Sequence, residues 1–389
     1  MDSLNGVFNN WLDVALVVAE RIGEVPLVAL TLGLVVAVSL GFGVRASWAR
    51  RRRRALPFWR PYRRALSVVL GLACVFYFAE RTDAILRELR EQEFFLRMDT
   101  VHRRGDSPSA AARDESSYLI DRNRLESGLE RIFGSVLLDT EALGSGIAFA
   151  GVRTTGRRPT ASYVTVVDLT DPAVRIELTP ALGPKSLTSS FGREHGCVVA
   201  VNGEAGTTPA LDASLGRWQG AWVVQGTVVP LRTSPKRPLL CFDRHNRARY
   251  VAANTDCALS KDAMYNTIWG RGDLLLDGEY VPPEEARWKP ASPRTVMGID
   301  AAGDRLILMV VDGRQPYYSD GMDLETAARV FALFGARDAM WCDQGGSSVM
   351  YLQCLGADVS RPSDGHERPT YTHFGIALNT GGETPARRQ

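Results

Sequence analysis

The chain predicts an α+β protein: an N-terminal transmembrane helical hairpin, a helical stalk, and a mixed α/β domain around a central sheet. Three observations carry this. Two uncharged runs, Val25–Val44 and Ala65–Ala79, stand near the N-terminus. A polar stretch with loose helical periodicity follows, from Glu80 to Phe133. Beyond Gly134, short apolar segments alternate with Gly and Pro around one clear helical run. The predicted divisions are therefore 1–79, 80–133 and 134–389.

At 389 residues and 45% apolar content, the chain is neither disordered nor a disulfide-stapled mini-protein. Its net charge of +2 hides an asymmetry: residues 1–79 hold ten Arg and four acids, whereas 80–389 hold 36 basic and 40 acidic residues. Val25–Val44 is twenty residues long, about 30 Å as a helix, the thickness of a hydrocarbon core. Ala65–Ala79 has fifteen, and Arg63 and Arg64 can extend its reach by snorkelling. Between the runs, residues 45–64 carry nine Arg and no acid, with Trp48, Phe58, Trp59 and Tyr62 interleaved. A basic nucleic-acid patch is the rival reading. Apolar flanks on both sides favour a short cytoplasmic loop under the positive-inside rule, hence membrane lipid rather than nucleic acid as partner. Both termini then lie outside the cytoplasm, at an inner membrane, with a periplasmic C-terminal domain.

In the middle segment, Ile85, Leu86, Leu89, Phe94, Phe95 and Met98 form a loose stripe, consistent with a stalk or a helical cover. Residues 104–117 read as a loop and 117–133 as a second short helix. In the distal domain GIAFAGV, ASYVTVVDL, AVRIELT, CVVAVNG, AWVVQGTVV, RLILMVV and DAMWC read as strands. Leu324–Phe334 reads as a helix stopped by Gly335. The six Cys show no C-x-x-C spacing, so zinc is not indicated; an oxidising compartment permits a Cys241–Cys257 bridge.

Three strands end alike. Cys197–Val201 runs into Asn202-Gly203-Glu204, Leu306–Val311 into Asp312-Gly313-Arg314, and Ala339–Cys342 into Asp343-Gln344-Gly345-Gly346-Ser347-Ser348. A polar residue followed by Gly at a strand end presents side chains where the backbone permits close approach. One such end is a plain turn; three suggest a site. Paired Gly before paired Ser suits an anion cradle, and without a following Gly-Lys-[Ser/Thr] it is not a P-loop. His195, His366 and His373 are scattered and show no metal-ligand spacing.

The order of Arg294–Asp300 (RTVMGID), Val310–Arg314 (VVDGR) and Gly321–Tyr351 resembles the core of the phosphodiester glycosidase family across roughly Ser162–Asn379. The resemblance implies hydrolysis of a sugar-1-phosphate diester, or a related glycosidic bond, in a surface polysaccharide. Gln344 stands where the family has Gly. A side chain there is expected to crowd the cradle or to need a positive φ, unless its amide serves the substrate. If activity is lost at that position, the alternative is a glycan-binding or exopolysaccharide-assembly protein.

Glycosyl cleavage needs carboxyl groups as acid, base or nucleophile, and a phosphate leaving group needs cationic and N–H donors. Asp343 and Asp312 are the expected catalytic carboxylates, with Glu204 third. Arg294 and Arg314 are the expected anion clamps. Asn202 and Gly203 would orient sugar hydroxyls, and Gln344, Gly345, Gly346, Ser347 and Ser348 would line the anion site. No cofactor is required by this chemistry, although a divalent cation between Asp343 and Asp312 is compatible with it.

Overall fold

The computed structural model describes residues 82, 84–103, 117–155, 158–180, 184–204, 222–228, 237–255 and 264–379. The chain divides into two units, Met1–Ala79 and Glu80–Gln389, and every described residue belongs to the second. The expected hairpin with its arginine loop, the loop at 104–116, and Cys257 of the expected bridge lie outside the described residues. Among the described residues, no helix is long and apolar enough to cross a membrane.

The expected α+β class is corrected: the described fold is mostly β. In chain order, α1 spans 84–103 and α2 Arg122–Phe133. There follow β1 (Val136–Gly144), β2 (Ile147–Thr154), β3 (Ala161–Asp168), β4 (Val174–Leu178), α3 (Thr188–Glu194) and β5 (Cys197–Asn202). Next come β6 (Val223–Val224), β7 (Thr227–Val228), β8 (Leu239–Phe242), β9 (Ala248–Val251), β10 (Asn266–Trp269), β11 (Gly272–Leu276) and β12 (Glu279–Tyr280). The last are β13 (Arg294–Ile299), β14 (Arg305–Val311), α4 (Leu324–Leu333), β15 (Asp338–Trp341), β16 (Met350–Leu352), β17 (Ala357–Asp358) and β18 (His373–Leu378).

They form an eight-stranded sheet in the order β1-β2-β3-β14-β13-β15-β11-β12, and two five-stranded sheets, β7-β6-β10-β8-β9 and β17-β16-β5-β18-β4. All their pairings are antiparallel. The apolar runs that suggest buried strands of a mixed α/β sheet are explained by burial of both faces of the large sheet. Leu306, Leu308 and Val310 point into one core with Val199, Val201, Ile268 and Phe374 of the smaller sheets. Ile307, Met309 and Val311 point into a second core with Leu125, Leu129, Ala327 and Phe331 of α2 and α4. A strand covered on both sides loses its polar alternation whichever way its neighbours run.

Asp323 caps α4, its carboxylate accepting the Thr326 N–H at 2.7 Å, and Gly335 ends it at φ 98°. Gly298 of β13 lets that helix approach, since a Cβ there would stand 2.8 Å from Phe331 Cε1. Helix α1 covers the other face. Phe94, Met98 and Val101 are buried, and Gly151 of β2 leaves room for Met98. Arg97 of α1 donates to the Val359 carbonyl at 3.0 Å, and Arg361 donates to both Glu93 oxygens at 2.9 Å. The segment read as stalk or cover thus packs as a cover.

Candidate active site

Strands β14 and β15 flank β13 and run antiparallel to it, so their C-terminal ends lie beside its start. The Asp312 and Asp343 backbones leave the sheet there, two strand spacings or roughly 10 Å apart. Strand β5 delivers Asn202 to the same place. Its Oδ1 accepts from Thr295 Oγ1 at 2.7 Å and from the Val349 N–H at 3.1 Å. Its Nδ2 donates to the Gly203 carbonyl at 3.1 Å and the Asp343 carbonyl at 3.2 Å. With its amide so engaged, Asn202 ties β5, β13 and both loops around Asp343 together.

Glu204 follows. Gly203 lets the chain pass close to Thr372, whose hydroxyl donates to the Glu204 carbonyl at 2.7 Å. Glu204 is 4% exposed and its carboxylate pairs with Arg271; its Oε2 has no hydrogen-bond partner among the described residues. Burial outweighs the pull of Arg271 and, aided by the negative charge of Asp343, pushes this carboxyl up to about 7. Asp343 is partly exposed, and its carboxylate accepts no hydrogen bond among the described residues. The structure therefore brings Glu204 and Asp343 together, with Arg271 between buried and open surroundings.

Asp312 is placed differently. It is fully buried, with its carboxylate accepting the Arg361 N–H at 2.8 and 2.9 Å and the Tyr318 hydroxyl at 3.0 Å. Its carbonyl accepts from Ser319 Oγ at 2.5 Å. Desolvation pushes its carboxyl up to about 7. These bonds bracket the 313–319 loop, in which Arg314 and Tyr317 adopt φ of 59° and 66°. Asp312 is occupied as a brace beneath Arg314.

Arg294 is 1% exposed, its Nε donating to the Met322 carbonyl at 3.0 Å and its Nη2 to those of Trp288 at 3.0 Å and Pro290 at 2.5 Å. Burial lowers its guanidinium to about 10. Its fork holds main chain. Arg314 is exposed, and its Nη1 lies 2.9 Å from where a Cβ on Gly345 would stand. The φ of 74° favours glycine at 345, and a Cβ there would displace the Arg314 guanidinium. Gln344 has φ −129°, ordinary extended backbone, so the expected positive φ at Gln344 is corrected: the left-handed turn falls one residue later. The Gln344 Oε1 and Ser348 Oγ atoms are buried without partners among the described residues. Gly345–Ser347 form one 3-10 turn; Arg368 Nη1 reaches Ser347 Oγ at 3.5 Å and pairs with Asp364, which packs over Gly346.

His373 is a core residue, its ring nitrogens bonded to Thr179 Oγ1 at 2.7 Å and Thr370 Oγ1 at 2.9 Å. Burial lowers it to about 4, so it is neutral. The His195 ring lies 4.5 Å from that of Phe191, tilted by 35°. Glu204 and Asp343 are the acids that could share a cation; among the described residues no group of three or more His, Cys, Asp or Glu is arranged for one. Sequence reasoning misses Arg271, Trp288 and Arg368. Arg271 had a signal: Asn266–Trp269 runs into Gly270-Arg271-Gly272-Asp273, a fourth strand end of the same form.

The all-antiparallel scaffold thus carries two neighbouring carboxylates, Glu204 and Asp343, close to a glycine-rich turn contacted by Arg314 and Arg368. Residues 195–377 match the model of the phosphodiester glycosidase family, so this segment is a phosphodiester glycosidase domain, and the site described lies wholly inside it. The family is one of hydrolases. No curated protein matches the chain. Among solved structures, the zebrafish N-acetylglucosamine-1-phosphodiester alpha-N-acetylglucosaminidase catalytic domain, auto-inhibited by its pro-peptide, is 20% identical, covering 62% of this chain and 82% of that one at TM-score 0.47. A hypothetical protein from Synechocystis is 11% identical over 62% and 64%, at 0.44. A Burkholderia pseudomallei K96243 protein named only as exported is 13% identical over 62% and 96%, also at 0.44.

Proposed function

We propose that this protein hydrolyses a glycosyl-phosphate bond in a surface polysaccharide, outside the cytoplasm. The observation that carries the reading is the pairing of Glu204 with Asp343 beside the Gly345–Ser347 turn and its two arginines. Glu204, held near 7 by burial, is protonated enough at neutral pH to donate to a leaving oxygen. Asp343, open on one side, serves as the base or nucleophile. Arg314 and Arg368 supply positive charge for a phosphate. Gln344 leaves the turn unstrained, which favours catalysis over an inactive glycan binder on the same fold. The extracytoplasmic location is supported by the charge asymmetry around position 80; a reporter enzyme fused after Gln389 tests it.

The test of the chemistry is sugar release from a sugar-1-phosphate methyl diester by the full chain. Asp343→Asn should lower kcat by about 10³ or more, on the scale of a lost catalytic group, with melting temperature unchanged. A folded Asp343→Asn that turns over like the parent sinks the assignment.

A further inference from the structure

Two loops flank the Gly345–Ser347 turn, and one residue joins them. The loop at 313–319 brings Arg314 to Gly345, and the loop at 359–368 brings Asp364 over Gly346 and Arg368 to Ser347. Arg361 is the joint. Its N–H donates to both Asp312 oxygens at 2.8 and 2.9 Å, at the root of the first loop. Its carbonyl accepts from Gln315 Nε2 at 2.8 Å, the side chain next to Arg314. Its guanidinium lies 5.4 Å from the centre of the Tyr318 ring, and its Nη1 donates to both Glu93 oxygens at 2.9 Å.

Glu93 belongs to α1, which lies outside the residues matched to the family. Three arginines meet its carboxylate: Arg361, Arg90 at 2.7 Å and Arg97 at 3.5 Å. Burial works to raise this carboxyl, but the arginines outweigh it and hold it below its ordinary range. Glu93 is therefore a fixed negative charge at neutral pH. Arg97 also donates to the Val359 and Ser360 carbonyls, at 3.0 and 3.4 Å, directly before Arg361. Phe94, Met98 and Val101, all buried, seat the helix that carries both residues. Any shift of Arg361 breaks charge-assisted bonds to a packed helix.

We infer that α1 is a working part of the anion site: Glu93, acting through Arg361, is a positioning residue that sets Arg314 and Arg368 against the Gly345–Ser347 turn. The inference deepens the hydrolase reading and, for its effect on turnover, rests on it. Glu204 and Asp343 take no part in these bonds, so Glu93 should act on phosphate binding and leave the chemical step alone.

Steady-state kinetics of the full chain on the sugar-1-phosphate methyl diester test this. Glu93→Gln should raise KM at least fivefold, with kcat within twofold and the pH profile unchanged. Arg361→Gln should raise KM by the same factor, and the double variant by no more than either alone, as for two residues on one path. Glu93→Asp, which keeps the charge, should fall between parent and Glu93→Gln. Met98→Ala loosens α1 without touching the ion pair; it should lower the melting temperature and leave KM within twofold. A folded Glu93→Gln with the parent's KM overturns the inference, and so does additivity in the double variant. An equal KM rise in Met98→Ala traces the effect to packing and overturns it too. Amide hydrogen exchange separates this claim from the hydrolase. Glu93→Gln should speed exchange in 313–319 and 361–368 at least tenfold and leave 294–299 as in the parent. If the parent does not turn over the diester, the hydrolase falls and exchange alone judges the coupling; unaltered exchange in both loops overturns it.

Discussion

Glu204 and Gly345 show how single residues set the chemistry. Burial raises Glu204 to about 7, so the acid form is depleted as pH rises through neutrality. The rate of a reaction that needs its proton should fall tenfold per pH unit above about 7 in the parent. Glu204→Gln should show a flat, low profile from pH 6 to 9. A pH–rate profile of kcat/KM reads both, and a variant that keeps the parent's alkaline limb removes Glu204 as the acid. At Gly345, a methyl group meets Arg314 and a backbone at φ 74°. Gly345→Ala should destabilise by about 1–2 kcal/mol from backbone strain alone and raise KM for the diester as Arg314 is displaced. Chemical denaturation and steady-state kinetics measure the two effects. Gln344 was legible as a departure from the family pattern, but its consequence was not. Which residue of a turn takes the positive φ depends on where the flanking strand stops, and Gly345 takes it here.

At the scale of elements, α1 is the clearest case. Its sequence shows a stripe but not what the stripe faces, because an apolar face on a stalk and one on a cover are written with the same residues. Adjacent phenylalanines now separate the roles: Phe94 is 1% exposed and Phe95 49%. Phe94→Ala should cost about 3–5 kcal/mol, the range for emptying a core aromatic. Phe95→Ala should stay within about 0.5 kcal/mol. Urea midpoints of the two variants decide, and equal losses mean the helix is not seated as described. Helix α4 was readable to within a residue, since its cap, periodicity and terminal glycine are all local. The Arg-Thr-x-x-Gly strand was readable too. The role of Arg294 was not, because the carbonyls it holds, at 288, 290 and 322, are gathered only by folding.

For the whole molecule, buried carboxyls couple stability to pH. Asp312 holds its proton to about 7 when folded but ionises near 3.8 when unfolded. A raised acid contributes stability that is complete below the unfolded value and is lost as pH rises through the folded one. Glu204 acts in the same direction. His373, depressed to about 4, acts oppositely, but only below its ordinary value of 6.5. Between pH 6.5 and 8 the melting temperature should therefore fall. Asp312→Asn, whose remaining oxygen still accepts the Arg361 N–H but whose NH2 cannot accept from the Tyr318 hydroxyl, should start lower and should fall less steeply. Calorimetric scans across that window test this; a variant with the parent's slope shows that Asp312 is not the group titrating.

The family and the strand-end motifs could be read from the chain, since each is a short pattern of residue types whose chemistry travels with it. The sheet's direction could not. Strands buried on both faces are uniformly apolar in parallel and antiparallel arrangements alike, so an all-antiparallel fold resembled a mixed one. The pairing of carboxylates was also settled by folding. Asp312 and Asp343 occupy matching ends of like-directed strands, yet one is closed over by Tyr318 and Arg361 and the other faces Glu204 and Arg271. Side-chain neighbours come from segments far apart in the chain, 141 residues for Asn202 and Asp343 and 168 for Glu204 and Thr372, and spacing along a chain carries no information about them.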